Sequence, residues 1–503
     1  MSLPPPAIIS SLIQSIRARP IPWDHLQRTN VISEQELKLT KAVDKVGREK
    51  RVAIVEADLE SYAALIVGDA DGRAKGLLER SGKKVELVQY LLVLAVEICE
   101  DVPSFVAALN KHQDPYTHLM TLLDHTDAPI PIITSSLLTT LISASLLLPS
   151  SSRTEKPVKQ ALPTLFKYLA TISSSSSSSA SSSESAEWNL QDLAVQNYVL
   201  LLRNSFARMT FWQMGDETMR GLTGVVETAA AGSKGSRTTD VGSVANTSSS
   251  SASTSLLSGA SSSGAGGAGL KQGGVNLQLL YHVLVAIWQL SFEEEIADEL
   301  DEKYDLIPPL VHLLRCALKE KILRVCLAIF TNLIVKSPGP NLPSLLLSRL
   351  LPLLTTLKAR KFTDPDLTGD LDTCLTSLEA FQLTQTNFDE YATEIRSGHL
   401  SWTPPHRNQD FWKKNARRIM EENNGELVQC LARVLKESEE KLVLAVAAHD
   451  VGVLVREVPE KRRVWDGVAV KARVMQLMGD SDPEVRYESL KAVQEFLRYA
   501  FGG

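Results

Sequence analysis

Apolar residues recur at intervals of three and four through most of this chain, the spacing that draws one stripe along an α-helix. Val85, Val88, Leu91, Leu92, Ala95, Val96 and Cys99 form such a stripe, with Glu86, Gln89 and Glu97 on other faces. The same periodicity predicts helices over 130–148, over 158–172, from Trp188 past Trp212 to about Val226, and over 342–357 after the break Pro338-Gly-Pro340. The stripes also repeat. Leu284, Ile287 and Leu290 are answered 43 positions later by Leu327, Phe330 and Leu333, and Val443, Ala448, Val451 and Leu454 are answered 42 positions later by Val485, Leu490, Val493 and Phe496. Residues 322–334 carry two stripes, Ile322, Val325, Cys326, Ile329 and Leu333 beside Leu323, Leu327, Phe330 and Ile334, as an inner helix requires. Repeats of this length match HEAT or armadillo units, which cannot bury their faces alone and therefore stack. The expected fold is all-α, a HEAT/armadillo-type α-solenoid whose surface binds proteins.

Breaks in the pattern divide the chain. Two low-complexity stretches, about 173–186 and 229–274, are dominated by Ser, Gly, Ala and Thr and lack the apolar content to offset chain entropy, so they are expected to be disordered inserts. The charged, proline-containing stretch 359–365 is expected to be a hinge. It would join an amino-terminal solenoid, 1–358, to a carboxy-terminal armadillo-like domain, 366–503. Near the end, Asp482 is placed to cap a helix that Pro483 opens. On that helix Arg486 and Glu488 are expected to make local salt links beside an apolar stripe of Val485, Leu490 and Val493.

Composition narrows the function. The 503 residues are 44% hydrophobic, enough for a stacked core, and the net charge of −6 opposes a nucleic-acid-coating role, which needs surplus Lys and Arg. Cys99, Cys316, Cys326, Cys374 and Cys430 lack paired short spacings and read as buried reduced thiols. The start, Met1-Ser-Leu-Pro-Pro-Pro, has no secretory pattern, and a cytosolic protein is expected. The run 130–148 approaches membrane-spanning length but carries Pro131 and several Ser and Thr, which favours a buried solenoid helix. Gly264-Ala-Gly266-Gly-Ala-Gly269 fits a dinucleotide fingerprint only in spacing, because no strand feeds it, and the run from Gly76 to Gly82-Lys83-Lys84 has the wrong spacing for a phosphate loop. No cofactor, metal or catalytic set emerges. The acidic run Glu293-Glu-Glu295, Asp298, Glu299, Asp301 and Glu302 reads as a solvated face that would also suit a basic partner.

A few clusters are more particular. Lys413, Lys414, Arg417 and Arg418 fall at i, i+1, i+4 and i+5, gathering four cations on one side of a helix. A solvated face is the default reading; the alternative is a site for an acidic surface of another protein. Trp402, Pro404 and Pro405 make a stiff aromatic-proline corner, and His406 is expected to hydrogen-bond there rather than bind metal. His449 beside Asp450 has no nucleophile in matching context, and a hydrogen bond between repeats is expected instead.

These clusters also carry a resemblance. Leu400-x-Trp402-x-Pro404-Pro405-His406 followed by Phe411-Trp412-x-x-Asn415, then Ala448-His449-Asp450-Val451-Gly452, then Asp482-Pro-Glu-Val485-Arg486-Tyr487-Glu488, resembles the carboxy-terminal domain of the H subunit of the vacuolar-type proton-pumping ATPase. Leu280-Tyr281-His282, Ile287-Trp288-x-Leu290-x-Phe292 and Lys319-Glu320-Lys321-Ile322 are similar to its amino-terminal domain, and both low-complexity inserts depart from the family pattern. The resemblance implies a non-catalytic regulatory subunit without cofactor. It would act at the cytosolic face of vacuolar and other endomembranes, touching the peripheral stalk, the catalytic sector and the cytosolic part of the large membrane subunit. It also implies a need for the subunit in coupled hydrolysis and pumping, and inhibition of the detached soluble sector. The family's inhibitory loop corresponds to 436–441, which places Glu437, Glu439 and Glu440 with the four cations as candidate partner-binding residues. The competing readings are a generic armadillo/HEAT adaptor or transport receptor, and an enzyme hidden in a solenoid.

Overall fold

The computed structural model describes residues 6–69, 74–82, 84–112, 114–147, 152–174, 184–234, 271–272, 274–317, 319–384, 387–467 and 469–498. The chain is an all-α helical-repeat solenoid. Among the described residues the strands are β1 (Lys271–Gln272) and β2 (Val275–Asn276), paired antiparallel with Gln272 opposite Val275. Packing divides the chain into two units, 1–297 with 312–329, and 298–311 with 330–503.

The first unit is built on α1 (Ala7–Arg17), α2 (Glu34–Val43), α3 (Arg48–Ala57), α4 (Val85–Asp101), α5 (Pro129–Leu147), α6 (Ser152–Ser173), α7 (Glu184–Leu201), α8 (Ser205–Gln213), α9 (Asp216–Lys234) and α10 (Leu277–Leu290). Here α5 packs on α4, α6 and α7; α6 packs on α7 and α9; and α7 packs on α10. Because α4 is covered on nearly every side, Gln89 is buried as well as the apolar stripe, and its amide donates to Asp127. Phe166, Tyr198 and Phe211 bring α6, α7 and α8 together, their ring centroids 5.0 to 5.9 Å apart. Charge closes the other end. Arg51 donates to Glu97 at 2.7 Å and Asp101 at 2.6 Å, Arg17 donates to Glu97, and the Tyr90 hydroxyl donates to Asp44 at 2.7 Å. These contacts tie α1, the end of α2, and α3 to α4.

Residues 130–147 of the run expected at 130–148 lie in α5, whose eleven buried residues include Pro131 and four Ser or Thr, Thr134, Ser135, Thr139 and Ser145; 148 lies outside the described residues. Among the described residues it is the one helix long and apolar enough to cross a membrane, and 61% of that stretch is buried in the protein. Thr139 satisfies its hydroxyl on the Ser135 carbonyl at 2.8 Å, and Tyr116 meets Ser145 at 2.6 Å.

The second unit contains α11 (Pro338–Leu347), α12 (Leu350–Lys358), α13 (Pro365–Thr384), α14 (Asn387–Ser397), α15 (Gln409–Glu421), α16 (Glu426–Glu437), α17 (Lys441–Glu457), α18 (Val470–Leu477) and α19 (Pro483–Arg498). The 42-residue repeat is α17 answered by α19, and the two helices pack on each other. Gly452 permits this approach: a Cβ there would lie 3.0 Å from Ala492 Cα and 3.2 Å from its Cβ. The stretch 359–365 lies within this unit, between α12 and α13, which pack together.

Several expectations need correction. Residues 342–357 are two helices, because Arg349 adopts φ 57° between α11 and α12; Pro338 opens α11 at its first position, where its missing N–H costs nothing. The edges of the expected inserts are ordered. Ala229–Lys234 continue α9, since alanine is the strongest helix former, Glu184 begins α7, and β1 pairs with β2. The bulk of both inserts, 175–183 and 235–270, lies outside the described residues, and the glycine motif at 264–269 falls there too. Leu490 is 47% exposed, unlike its counterpart Ala448, so three of the four pairs in the 42-residue repeat are buried in both copies. By contrast, all six positions of the 43-residue repeat are at most 1% exposed. The five cysteines are free, with Cys99, Cys326 and Cys374 buried and Cys316 and Cys430 half-buried.

The contact between α17 and α19 is directly testable. Gly452→Val should lower the stability of the full chain by about 1–3 kcal/mol through overpacking, whereas Leu490→Ala on the exposed face should change it by less than about 0.5 kcal/mol. Urea unfolding followed by tryptophan fluorescence measures both, and equal effects would refute the packing assignment.

Candidate functional site

The densest polar cluster of the second unit is sealed inside it. Helix α14 places Tyr391, Ala392 and Ile395 in the core, and Glu394 falls on the same stripe, three residues after Tyr391. The helix ends at Ser397, and Gly398 reverses the chain with φ 77°, a conformation that suits glycine. A strap then runs back across Glu394, anchored by Leu400 at 2% exposure. Its carboxylate accepts from Ser401 N and Oγ, each at 3.3 Å, and from Thr403 Oγ1 at 2.6 Å. Pro404 opens a single helical turn, Pro404–Arg407, which delivers His406 into the interior. Asn408 then caps α15 by accepting from the amides of Asp410 and Phe411.

His406 is held from both sides. Its Nε2 lies 3.1 Å from Glu394 and its Nδ1 lies 2.8 Å from Asp450 of α17, with all three side chains fully buried. A carboxylate at each nitrogen requires both ring nitrogens to donate, so the ring is an imidazolium. Burial by itself would lower the His406 pKa; the Asp450 charge and hydrogen bond, then those of Glu394, outweigh it and hold the group at about 10. Burial would raise Asp450, but the His406 charge and hydrogen bond, with help from His449, bring it below the usual carboxylate range. Burial and the Asp450 charge push the Tyr391 hydroxyl well above its ordinary value.

Aromatic side chains wall the cluster. Trp412 donates Nε1 to the His406 carbonyl at 3.1 Å, and Tyr391 packs on Phe411 and Trp412 at 5.4 and 5.3 Å. Trp402 packs edge-on against His449 at 5.1 Å and donates to Glu484 at the start of α19, while Arg407 lies over its ring. His449 Nδ1 is 3.1 Å from Asp450 Oδ1. The link between distant elements is thus His406 to Asp450, with His449 as a neighbour on the same helix. Trp402, Pro404, Pro405, His406, Phe411, Trp412, His449 and Asp450 converge here. Arg486 and Tyr487 do not: Arg486 donates to the carbonyls of Asp480 and Ser481 rather than forming a salt link, and Tyr487 is 57% exposed beneath Lys491. Glu488 does form one, with Lys491 at 3.2 Å. Asp482 caps α19 through the amides of Glu484 and Val485.

Sequence reasoning missed Glu394, Ser401 and Thr403. The available signal was a charged residue on the buried stripe of an otherwise amphipathic helix. Both nitrogens of His406 are occupied by carboxylates, and the Ser401 and Thr403 hydroxyls donate to Glu394 instead of facing a base.

The proposed partner-binding side chains lie on the surface. Lys413 and Lys414 are exposed on α15; Arg417 pairs with Glu460 at 2.5 Å; Arg418 pairs with Glu422 at 2.9 Å and covers the Phe388 ring at 3.6 Å. Glu437, Glu439 and Glu440 are exposed where α16 hands over to α17. That loop is pinned by Lys441 to Asp480 at 2.8 Å, and Arg473 holds the Leu435 carbonyl at 2.9 Å beside an open cavity of about 530 Å³.

Fold and interior together define a helical-repeat protein whose innermost polar groups serve one another. The chain belongs to the V-ATPase H subunit family: the family's amino-terminal model matches residues 7–378 and its carboxy-terminal model matches 384–501. It is 37% identical over 228 residues to a V-type proton ATPase H subunit of Drosophila melanogaster, covering 44% of this chain and 48% of that protein. A probable V-type proton ATPase H subunit of Caenorhabditis elegans is 34% identical over 230 residues, 45% of this chain and 48% of that protein. Those matches span about half the length of each relative. A V-type proton ATPase H subunit of Dictyostelium discoideum is 26% identical over 489 residues, 96% of this chain and 93% of that protein. Among solved structures, a computationally designed armadillo repeat protein aligns with a TM-score of 0.38 and 14% identity, covering 60% of this chain and 96% of that one.

Removing the cation should expose the cost of the cluster. His406→Ala leaves two carboxylates buried without a counterion and is expected to destabilise the second unit by about 3–5 kcal/mol. The folded His406 titrates near 10 and the unfolded one near 6.5. Its stabilisation is therefore complete below about pH 6.5 and lost as pH rises towards 10. Urea midpoints measured across that range should fall more steeply for the wild type than for His406→Gln, and parallel slopes would contradict the assignment.

Proposed function

We propose that the chain is a non-catalytic regulatory subunit of the soluble sector of a vacuolar-type proton pump. It works at the cytosolic face of vacuolar and other endomembranes, in contact with the peripheral stalk, catalytic-sector subunits and the cytosolic domain of the large membrane subunit. It takes part in coupled ATP hydrolysis and proton transport in the assembled enzyme and inhibits ATP hydrolysis by the detached soluble sector. Family membership along nearly the whole chain is the observation that carries this reading. The charge pairing at His406 supports it, because a repeat protein whose interior charges are mutually paired acts through its surface. The loop 436–441 is the proposed inhibitory element, and its anchorage through Lys441 and Asp480 would present Glu437, Glu439 and Glu440 in a defined position.

Two measurements test the proposal. The tagged chain should recover pump stalk and membrane subunits from solubilised endomembranes, and the purified chain should show no ATP turnover of its own. Added to detached soluble sector, it should suppress ATP hydrolysis, and Glu437→Lys/Glu439→Lys/Glu440→Lys should restore most of that turnover. Turnover by the pure chain, or failure to recover any pump subunit, would overturn the assignment.

A further inference from the structure

The cations of α15 belong to a larger surface than their own helix. The turn Pro459–Lys461 is bound to α15 by two ion pairs, Arg417 to Glu460 at 2.5 Å and Lys461 to Glu421 at 2.9 Å. Arg462 and Arg463 follow directly and are exposed, and the Arg462 amide closes the turn on the Pro459 carbonyl at 3.3 Å. Lys413 and Lys414 lie one helical turn, about 5.4 Å of rise, before Arg417 and Arg418. Two elements some 40 residues apart in sequence thus present their cations together.

Within this surface the charges divide by role. Arg417, Arg418 and Lys461 are engaged with Glu460, Glu422 and Glu421, and Arg418 is also stacked on Phe388. Among the described residues no ion pair joins Lys413, Lys414, Arg462 or Arg463. Two of these pairs hold the turn against the helix, the third lies along α15 itself, and four cations are left exposed without one. We propose that Lys413, Lys414, Arg462 and Arg463 form one docking surface for an acidic protein segment of a neighbouring pump component. This deepens the reading of the chain as a pump subunit and rests on it.

The distribution of charge favours a protein segment over a lipid headgroup layer. Asp410, Glu421, Glu422 and Glu460 are interspersed among the cations, and a uniformly negative membrane would repel them as it attracted their neighbours. A segment can set its carboxylates against the four outward cations alone. The apolar side chain exposed beside the turn is Val464, at 41%, which is little for insertion into a bilayer. The net charge of −6 also confines the attraction to this patch, since charges beyond about 8 Å are screened at physiological salt.

The full chain is titrated with a labelled peptide of repeated Glu-Glu-Ala-Leu-Glu and with phosphatidylserine-containing phosphatidylcholine vesicles. The peptide should bind in a salt-dependent manner, and Lys413→Glu/Lys414→Glu/Arg462→Glu/Arg463→Glu should weaken it about tenfold or more. Charge reversal of exposed Arg28 and Lys38 should leave binding unchanged. If the quadruple reversal does not fold, the corresponding four Gln substitutions replace it. Equal peptide binding by wild type and variant, equal loss in the Arg28/Lys38 control, or binding to vesicles alone would overturn the proposal. Recovery of pump subunits by the tagged wild type separately tests membership: its failure leaves the peptide result to judge the surface, and its success with undiminished recovery by the quadruple variant rejects the surface alone.

Discussion

The second unit depends on one shared cation. Two carboxylates from α14 and α17 lie in a place water does not reach, where a lone charge costs several kcal/mol, and the imidazolium of His406 lies between them. One positive and two negative charges leave a net negative charge, which the Ser401 and Thr403 hydroxyls and the Ser401 amide stabilise at Glu394. Every one of these donors comes from the strap between α14 and α15. The course of the strap and the position of the Glu394 carboxylate therefore depend on each other. Trp412 extends the constraint to α15 through the His406 carbonyl, and Trp402 extends it to α19 through Glu484.

The first unit handles the same problem differently. Arg17 and Arg51 meet Asp44, Glu97 and Asp101 at the edge of the core, where Arg51 and Asp101 keep 14% and 9% side-chain exposure. Partial access to water lowers the desolvation cost and spreads the charge over five side chains from α1, the end of α2, α3 and α4. Both clusters perform one mechanical task. Apolar stripes tell helices which face to bury, but they slide past one another readily; directional charge contacts between residues 44 to 50 apart in sequence specify their register.

How much of this could be read in advance follows from the range of each interaction. The helices and the 43-residue repeat were legible because their determinant is local periodicity, and all six repeat positions are buried. The 42-residue repeat was legible in part: Leu490 matches Ala448 in register yet faces outward, because no further helix among the described residues covers that side of α19. The break at Arg349 was hidden, since a positive φ at arginine leaves no compositional mark. His406 and Asp450 could each be singled out by residue type, but their pairing spans 44 residues and Glu394 gave only the weak mark of a charge on an apolar stripe. The basic face of α15 was visible in its helical spacing; the contribution of Arg462 and Arg463 was not, because Glu460 and Lys461 fold them onto α15 only in three dimensions.

Interior and surface charge consequently have opposite meanings in this protein. Both ring nitrogens of His406 have a carboxylate within 3.1 Å, and a ligand could reach them only by breaking bonds whose loss leaves a buried charge. Such a cluster is chemically quiet and mechanically stiff. On α15 and the turn beside it, three surface ion pairs engage Arg417, Arg418 and Lys461 and leave the other cations to solvent, where a new contact displaces only water and counterions. A stiff body with unpaired charge at fixed positions loses little conformational entropy when it docks. That division of charge suits the accessory role proposed above, in which the subunit would act through its surface.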